Sequence, residues 1–221
     1  KYDEAEKVLQ RLPSDKSEIY KLLKTFSLDK NSYLTIKNTK KNDLKINQKK
    51  IKVIQKKYDY VVLTSGNYNI FLYEMMNFLI SLSKNSTNYL VVIYIHDANK
   101  DEEERIQYAL NNLRIENYII IFDKPPLKNA SDIQIKSFYT ANRYMISYDL
   151  LKEYKKPVHV FDADTIIYKN LLNYMKLHKK YDFCLSIKNI LRYVWTFISA
   201  PHTIFYPTSS SMNYLSFYEN Y

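Results

Sequence analysis

Glycine is nearly missing from this 221-residue chain, with Gly66 the only one. Average usage near 7% would give about 15. A Walker loop and a G-x-G-x-x-G fingerprint are excluded, because both use several glycines to bring backbone close to phosphate. A nucleotide bound here must be held by side chains and metal instead. Cysteine is as scarce: Cys184 stands alone in the apolar run Phe183-Cys184-Leu185 and reads as a small buried hydrophobe. A disulfide scaffold and a cysteine-built zinc cluster are excluded. Long apolar runs are missing too. The longest, Ile70 to Leu82, carries Glu74 and is too short to span a bilayer. It reads as a buried helix, which leaves no transmembrane segment. The chain opens KYDEAEK, with no initiator Met and no signal-peptide apolar region. It is expected to be a piece of a longer, cytoplasmic protein.

What is present suits a folded domain. Hydrophobic content of 46% and charged content of 25% are ordinary globular usage. The net charge of +10 is concentrated partly in Lys37 to Lys57. That stretch reads as a solvated linker and not a nucleic-acid patch, because Lys, Asn, Ile and Tyr are abundant throughout, with 23 Tyr. No nucleic-acid partner is expected.

Tyr2 to Leu12 has helical spacing, with Ala5, Val8, Leu9 and Leu12 on one face and Pro13 as its stop. Ser17 to Leu28 is a second helix. Lys30 to Lys57 reads as irregular structure or weak helix, so the domain boundary falls near residue 57. From Tyr58 the pattern changes to alternating strands and helices. The strands are Tyr60 to Thr64, Tyr89 to Ile95, Tyr118 to Phe122 and Val158 to Phe161. Ser65-Gly66-Asn67 is a turn after the first. The intervening helices are Ile70 to Lys84, Asp101 to Leu113 and Ser137 to Tyr154. Near-continuous apolar strands alternating with helices imply an α/β fold, a mostly parallel sheet with helices on both faces. A helix at Asn170 to Lys179, strands at Tyr181 to Ile187 and Thr203 to Tyr206, and a final helix near Met212 to Tyr221 complete the domain, 58–221.

The chemistry is concentrated in VHVFDADTIIYKNL, Val158 to Leu171. Asp162 and Asp164 leave the end of a buried strand, where an open α/β sheet presents its ligands. Two carboxylates at i and i+2 supply the minimum that Mg²⁺ or Mn²⁺ needs when substrate phosphates complete the shell. Haloacid-dehalogenase-like phosphatases also carry an Asp-x-Asp after a strand, with the first Asp as nucleophile. That alternative, with Asp162 as nucleophile, wants Thr one position later than Thr165, and the motif on the first strand instead of the fourth.

From Tyr58 to about Tyr206 the chain resembles a GT-A-fold glycosyltransferase, closest in style to family 8. The residues that carry the likeness are VVLTSGNY, the strand end His96-Asp97, FYTANRYMISYDLL and FDADTIIYKNL. The resemblance implies a nucleoside-diphosphate sugar donor, UDP-sugar by default, an acceptor that is a glycan, lipid or protein, and Mn²⁺ (or Mg²⁺). Asp162 and Asp164 would bind metal and diphosphate, and Ala163 would let its backbone approach the ribose. Thr64, Ser65, Asn67 and Tyr68 would line the base and ribose pocket. Arg143 would reach sugar or diphosphate, with Lys136 a second cation, and Asp97 would contact the donor. The chain departs from the family at Ser199-Ala200-Pro201, where proline replaces a glycine. The family's later histidine ligand also has no clear counterpart; His202 is a poor substitute. No acceptor-side base or nucleophile is identifiable. A degenerate, non-catalytic binding module is therefore a further alternative. The pattern Y-D-E-A-E-x-x-L before Pro13 resembles a tetratricopeptide helix, which implies a protein partner for the N-terminal segment.

Overall fold

The structure is a computed structural model that describes residues 49–54, 57–113, 115–124, 132–187 and 198–219. The chain divides into two compact units, and the described sheet belongs to Leu44–Tyr218. The helices expected at 2–12 and 17–28 lie outside the described residues.

Seven strands form one mixed sheet: β1 (Lys49–Ile54), β2 (Tyr60–Asn67), β3 (Tyr89–His96), β4 (Asn117–Asp123), β5 (Val158–Phe161), β6 (Phe183–Ile187) and β7 (Ile198–Phe205). The spatial order is β1-β4-β3-β2-β5-β7-β6. The run β4-β3-β2-β5 is parallel throughout. β1 and β7 are antiparallel to their neighbours, so five of the seven strands point one way. After β2 a short helical turn (Tyr68–Ile70) passes through a π-helical turn (Phe71–Met75) into α1 (Met76–Asn85). The other helices are α2 (Lys100–Asn112), α3 (Asp132–Tyr154), α4 (Leu171–His178) and α5 (Ser209–Glu219).

The parallel strands are apolar at nearly every position because both faces are covered. Val62, Val91, Ile93 and Ile120 pack on one side with Phe78, Leu82, Ile106 and Leu171 of α1, α2 and α4. Val61, Leu63, Val92 and Ile119 pack on the other with Ile146, Leu150 and Leu215 of α3 and α5. The capping box Asn99–Glu102 starts α2, which accounts for its acidic first turn alongside the helix dipole.

Two expectations are corrected. The stretch 30–57, read as irregular or weakly helical, contains β1. The sheet therefore begins ahead of the boundary placed at 57. Alternation explains it: Ile51 and Val53 pack on the core, while Lys50 and Lys52 face outward and guard a sheet edge. Lys49 and Lys50 pair with Glu103 at 2.6 Å and Glu153 at 3.2 Å, so part of the basic stretch faces acids of the same domain. Second, Ser65-Gly66-Asn67 is not a turn. These residues pair in register with Tyr94, Ile95 and His96 of β3, and the parallel ladder holds them extended.

Gly66 has a steric reason to be glycine. A Cβ placed there would lie 2.5 Å from Ile70 Cγ2 and 2.9 Å from Ile70 Cβ. The strand thus passes hard against the helix that follows it. Gly66→Ala should cost about 1–3 kcal/mol by overpacking. That lowers the unfolding midpoint by about 2–4 °C per kcal/mol in a chain of this size. Calorimetry would read it; an unchanged midpoint would show that Ile70 can yield.

Candidate functional site

The chain moves outward from β2 to β3 and β4, then returns to lay β5 on the other side of β2. Such a reversal of strand order opens a crevice at the carboxyl ends of the two diverging strands, the usual ligand position in open α/β sheets. A cavity of about 560 Å³ occupies that place. β2 contributes Ser65, Gly66 and Asn67, and the turn after it Ile70 and Glu74. β3 gives His96, α3 gives Tyr139, Thr140 and Arg143, and the exit of β5 gives Asp162, Ala163 and Asp164.

Phe161 ends β5 fully inside the core, and the chain then turns, Thr165 N–H donating to the Asp162 carbonyl at 3.2 Å. Ala163 is buried, Asp162 half-buried and Asp164 exposed. Arg143 Nη1 donates to Asp162 Oδ1 in an ion pair. Arg143 is 7% exposed, and a cation so placed requires a paired charge.

A polar layer beneath the cavity fixes α3. Tyr94 O–H donates to Asp123 Oδ2 and accepts from Asn142 Nδ2, and Tyr139 O–H donates to Asp97 Oδ2. Asp97 sits at φ 56°, a left-handed conformation that aspartate tolerates. His96 stacks on Tyr139 with centroids 3.7 Å apart. Burial, and then the charge of Arg143, lowers the His96 pKa to about 3, which leaves the ring neutral. Burial raises the Asp123 carboxyl, partly offset by the Tyr94 hydrogen bond.

Six of the residues expected from sequence meet in the cavity wall: Ser65, Asn67, Arg143, Asp162, Ala163 and Asp164. Asn67 also caps the following helix, its Oδ1 accepting from Ile70 N–H at 3.0 Å. Thr64 is fully buried and does not belong to the wall, because the alternation of β2 turns it into the core. Tyr68 packs on the apolar cluster and interacts with Arg105. Asp97 acts through Tyr139 instead of lining the cavity. The side chain of Lys136 lies outside the described residues. Glu74, His96, Tyr139 and Thr140 were not anticipated as wall residues. His202 is elsewhere, 3.1 Å from His159 and stacked on Phe161.

Among the described residues no three His, Cys, Asp or Glu side chains are grouped to hold a metal ion. Asp162 and Asp164 are oxygen donors only. The pair fits a hard dication that takes its remaining ligands from diphosphate and water, and does not make a protein-only cage.

No protein-family model matches the chain, and no curated protein matches it in sequence. Solved structures do match its fold. WbbM, a bifunctional glycosyltransferase, is 13% identical, with a TM-score of 0.52 over 73% of this chain and 33% of its own. Mouse xyloside xylosyltransferase 1 is 10% identical, with a TM-score of 0.50 over 72% of this chain and 70% of its own. The glycosyltransferase GlyE of Streptococcus pneumoniae TIGR4 is 16% identical, with a TM-score of 0.46 over 72% of this chain and 36% of its own. The chain thus spans about a third of the length of WbbM and GlyE. Its mixed sheet flanked by helices is a GT-A-like fold, similar to that of WbbM and the mouse xylosyltransferase.

Proposed function

We propose that this chain is a metal-dependent glycosyltransferase domain that moves a sugar from a nucleoside diphosphate, UDP by default, to a hydroxyl acceptor. One observation carries the reading: the cavity at the strand-order reversal unites Asp162, Asp164 and Arg143 with Ser65 and Asn67. Carboxylates for a cation, a guanidinium for phosphate and polar groups for base and ribose suit a nucleoside diphosphate.

Asp162 and Asp164 would hold a Mn²⁺ or Mg²⁺ ion, and that ion would supply Lewis-acid neutralisation of the leaving diphosphate. Arg143, oriented by Asp162, adds a fixed positive charge where negative charge develops. The small side chain of Ala163 leaves backbone open to the ribose. Ser65 and Asn67, in the same cavity wall, offer hydrogen bonds to base or ribose. The transition state is oxocarbenium-like, as in other glycosyl chemistry.

Thermal unfolding of the full chain with UDP or GDP, with and without Mn²⁺, tests the reading. Nucleotide at about 100 times its Kd adds about 2.7 kcal/mol, a rise of about 5–10 °C. The expected result is a rise with UDP that requires Mn²⁺. No metal-dependent rise with either nucleotide at saturation would end the transferase reading.

A further inference from the structure

A surface helix normally turns an apolar stripe inward and a polar face to water. Helix α4 has apolar side chains on both. Leu171, Leu172 and Met175 pack on the core. Tyr174 and Leu177 stand in solvent, Leu177 at 73% exposure. Tyr181 extends that outer stripe by one turn, its N–H donating to the His178 carbonyl at 3.0 Å, and it is exposed as well. Ring contacts hold the stripe together: His178 lies 4.5 Å from Tyr174 and 6.3 Å from Tyr181, centroid to centroid. Ile166 and Tyr168, on the connection from Asp164 to α4, are exposed too, Tyr168 at 81%. Single exposed apolar side chains are ordinary, but a cluster of them marks a surface that something covers.

The charges around this stripe have one sign. From Thr165 to Tyr181 the sequence has four lysines, Lys169, Lys176, Lys179 and Lys180, and no acid. All four are exposed, and Lys180 Nζ sits 5.1 Å over the Tyr181 ring. Tyrosine has an apolar body and a polar tip, and lysine can lay its stem along apolar surface while its ammonium stays wet. Both suit a membrane–water boundary. A protein partner fits less well, because the cores of protein interfaces are depleted in lysine. A second copy fits least: a two-fold contact sets a patch against itself and would oppose the lysines of both copies.

We propose that the outer face of α4, with Tyr168 and Tyr181 flanking it in the chain, docks this protein on an anionic lipid surface. Leu177 and the tyrosines enter the headgroup layer, and the lysines meet the negative lipid headgroups. The docking stands on α4 alone and does not depend on the transferase reading. Leu171 follows Asp164 by seven positions, about 25 Å of fully extended chain at most, so the docked helix begins within that reach of Asp164 in the cavity wall. Joined to the transferase reading, the docked face selects a lipid-anchored acceptor from among glycan, lipid and protein.

Co-sedimentation of the full chain with vesicles tests the proposal, using phosphatidylcholine alone and phosphatidylcholine with about a third phosphatidylglycerol, at about 0.1 M salt. The chain should bind the anionic vesicles, release them as salt is raised, and ignore the zwitterionic ones. The triple variant Lys176→Gln, Lys179→Gln, Lys180→Gln should bind about 100-fold more weakly, each lysine near such a surface being worth about fivefold. Leu177→Asn alone should cost about tenfold. A second triple variant, Lys84→Gln, Lys100→Gln, Lys152→Gln, removes the same charge from exposed positions elsewhere and should bind like the wild-type chain. All these side chains are exposed, so every variant should keep the wild-type unfolding midpoint. Equal loss in the two triple variants would assign the binding to net charge and overturn the proposal. Absence of binding to anionic vesicles would overturn it in favour of a protein partner, and self-association abolished by Leu177→Asn, without vesicle binding, in favour of a second copy. None of these outcomes changes the Mn²⁺–UDP thermal shift, on which the transferase reading is judged separately.

Discussion

Asp164→Asn is expected to erase the Mn²⁺-dependent stabilisation by UDP while leaving the unliganded protein as stable as before. Asp164 is exposed, and substitutions of that kind usually fall within about 0.5 kcal/mol. The ligand contribution is larger. About 2.7 kcal/mol at 100 times Kd should fall to near zero, because a neutral amide is a poor partner for a dication that relies on carboxylate charge. Asp162→Asn is the less informative variant. It removes the ligand and also the partner of Arg143, whose side chain is 9% exposed against 34% for Asp162. Breaking a fully buried pair costs about 3–5 kcal/mol, and the solvent contact of Asp162 reduces that figure. Asp162→Asn should therefore lose both apo stability and ligand response, and Asp164→Asn only the response. Calorimetry of the two variants, each with and without Mn²⁺–UDP, separates the roles. An undiminished shift in Asp164→Asn would remove it from the metal site.

Much of this was legible because the strands obey simple rules. Val158, Val160 and Phe161 make an apolar run, broken only by His159, that stops at Asp162, so both the strand and the edge where its acids emerge follow from the sequence. Arg143 was legible for a similar reason. It lies on the helix just before β5, and a right-handed crossover returns that helix to the sheet beside the strand. The lysines of β1 concealed a strand because period-two alternation over six residues resembles a charged linker when only Ile51 and Val53 turn inward. Its partner β4 comes more than sixty residues later, beyond the reach of any local pattern.

The rest of the cavity wall depends on contacts distant in sequence. His96 and Tyr139 meet only because β3 and α3 converge, and nothing in either local stretch announces the stack. Glu74 was visible as a charge inside an apolar helix. Regular helical spacing did not indicate where it points, because a π-turn changes the angular register of the residues within it. Thr64 failed as a pocket residue for the opposite reason. The ladder continues past it to Asn67, so the strand exit lies further along than the expected turn implied.

Acidification below pH 6.5 should destabilise the fold steeply, and the cause lies mostly outside the cavity. Three of the four histidines are held neutral in the folded chain. His159 is wholly buried, and burial, then the neighbouring His202, keeps its pKa well below the usual value. Burial, and then the charge on His178, lowers His202 to about 4, and burial lowers His96 to about 3. In the unfolded chain each titrates near 6.5. Below that pH the unfolded state binds more protons than the folded one, so stability rises with pH. The contribution is complete above pH 6.5. It is lost progressively as pH falls through 6.5 toward 4 for His202 and 3 for His96. At pH 5 each neutral histidine costs about 2 kcal/mol, from 1.36 kcal/mol per unit. His159 and His202 share one hydrogen bond at 3.1 Å, so together the three remove about 4–6 kcal/mol, a large share of the roughly 5–15 kcal/mol of a typical domain. Few carboxylates titrate between pH 6.5 and 5, which assigns the loss in that window to imidazole. Urea unfolding at pH 7.5 and 5.0 reads it directly. His159→Phe, which fills the same apolar site with a ring that cannot be protonated, should make the dependence shallower by about a third. A free energy of unfolding that stays flat from pH 7.5 to 5.0 would mean that these imidazoles reach water more easily than their burial implies.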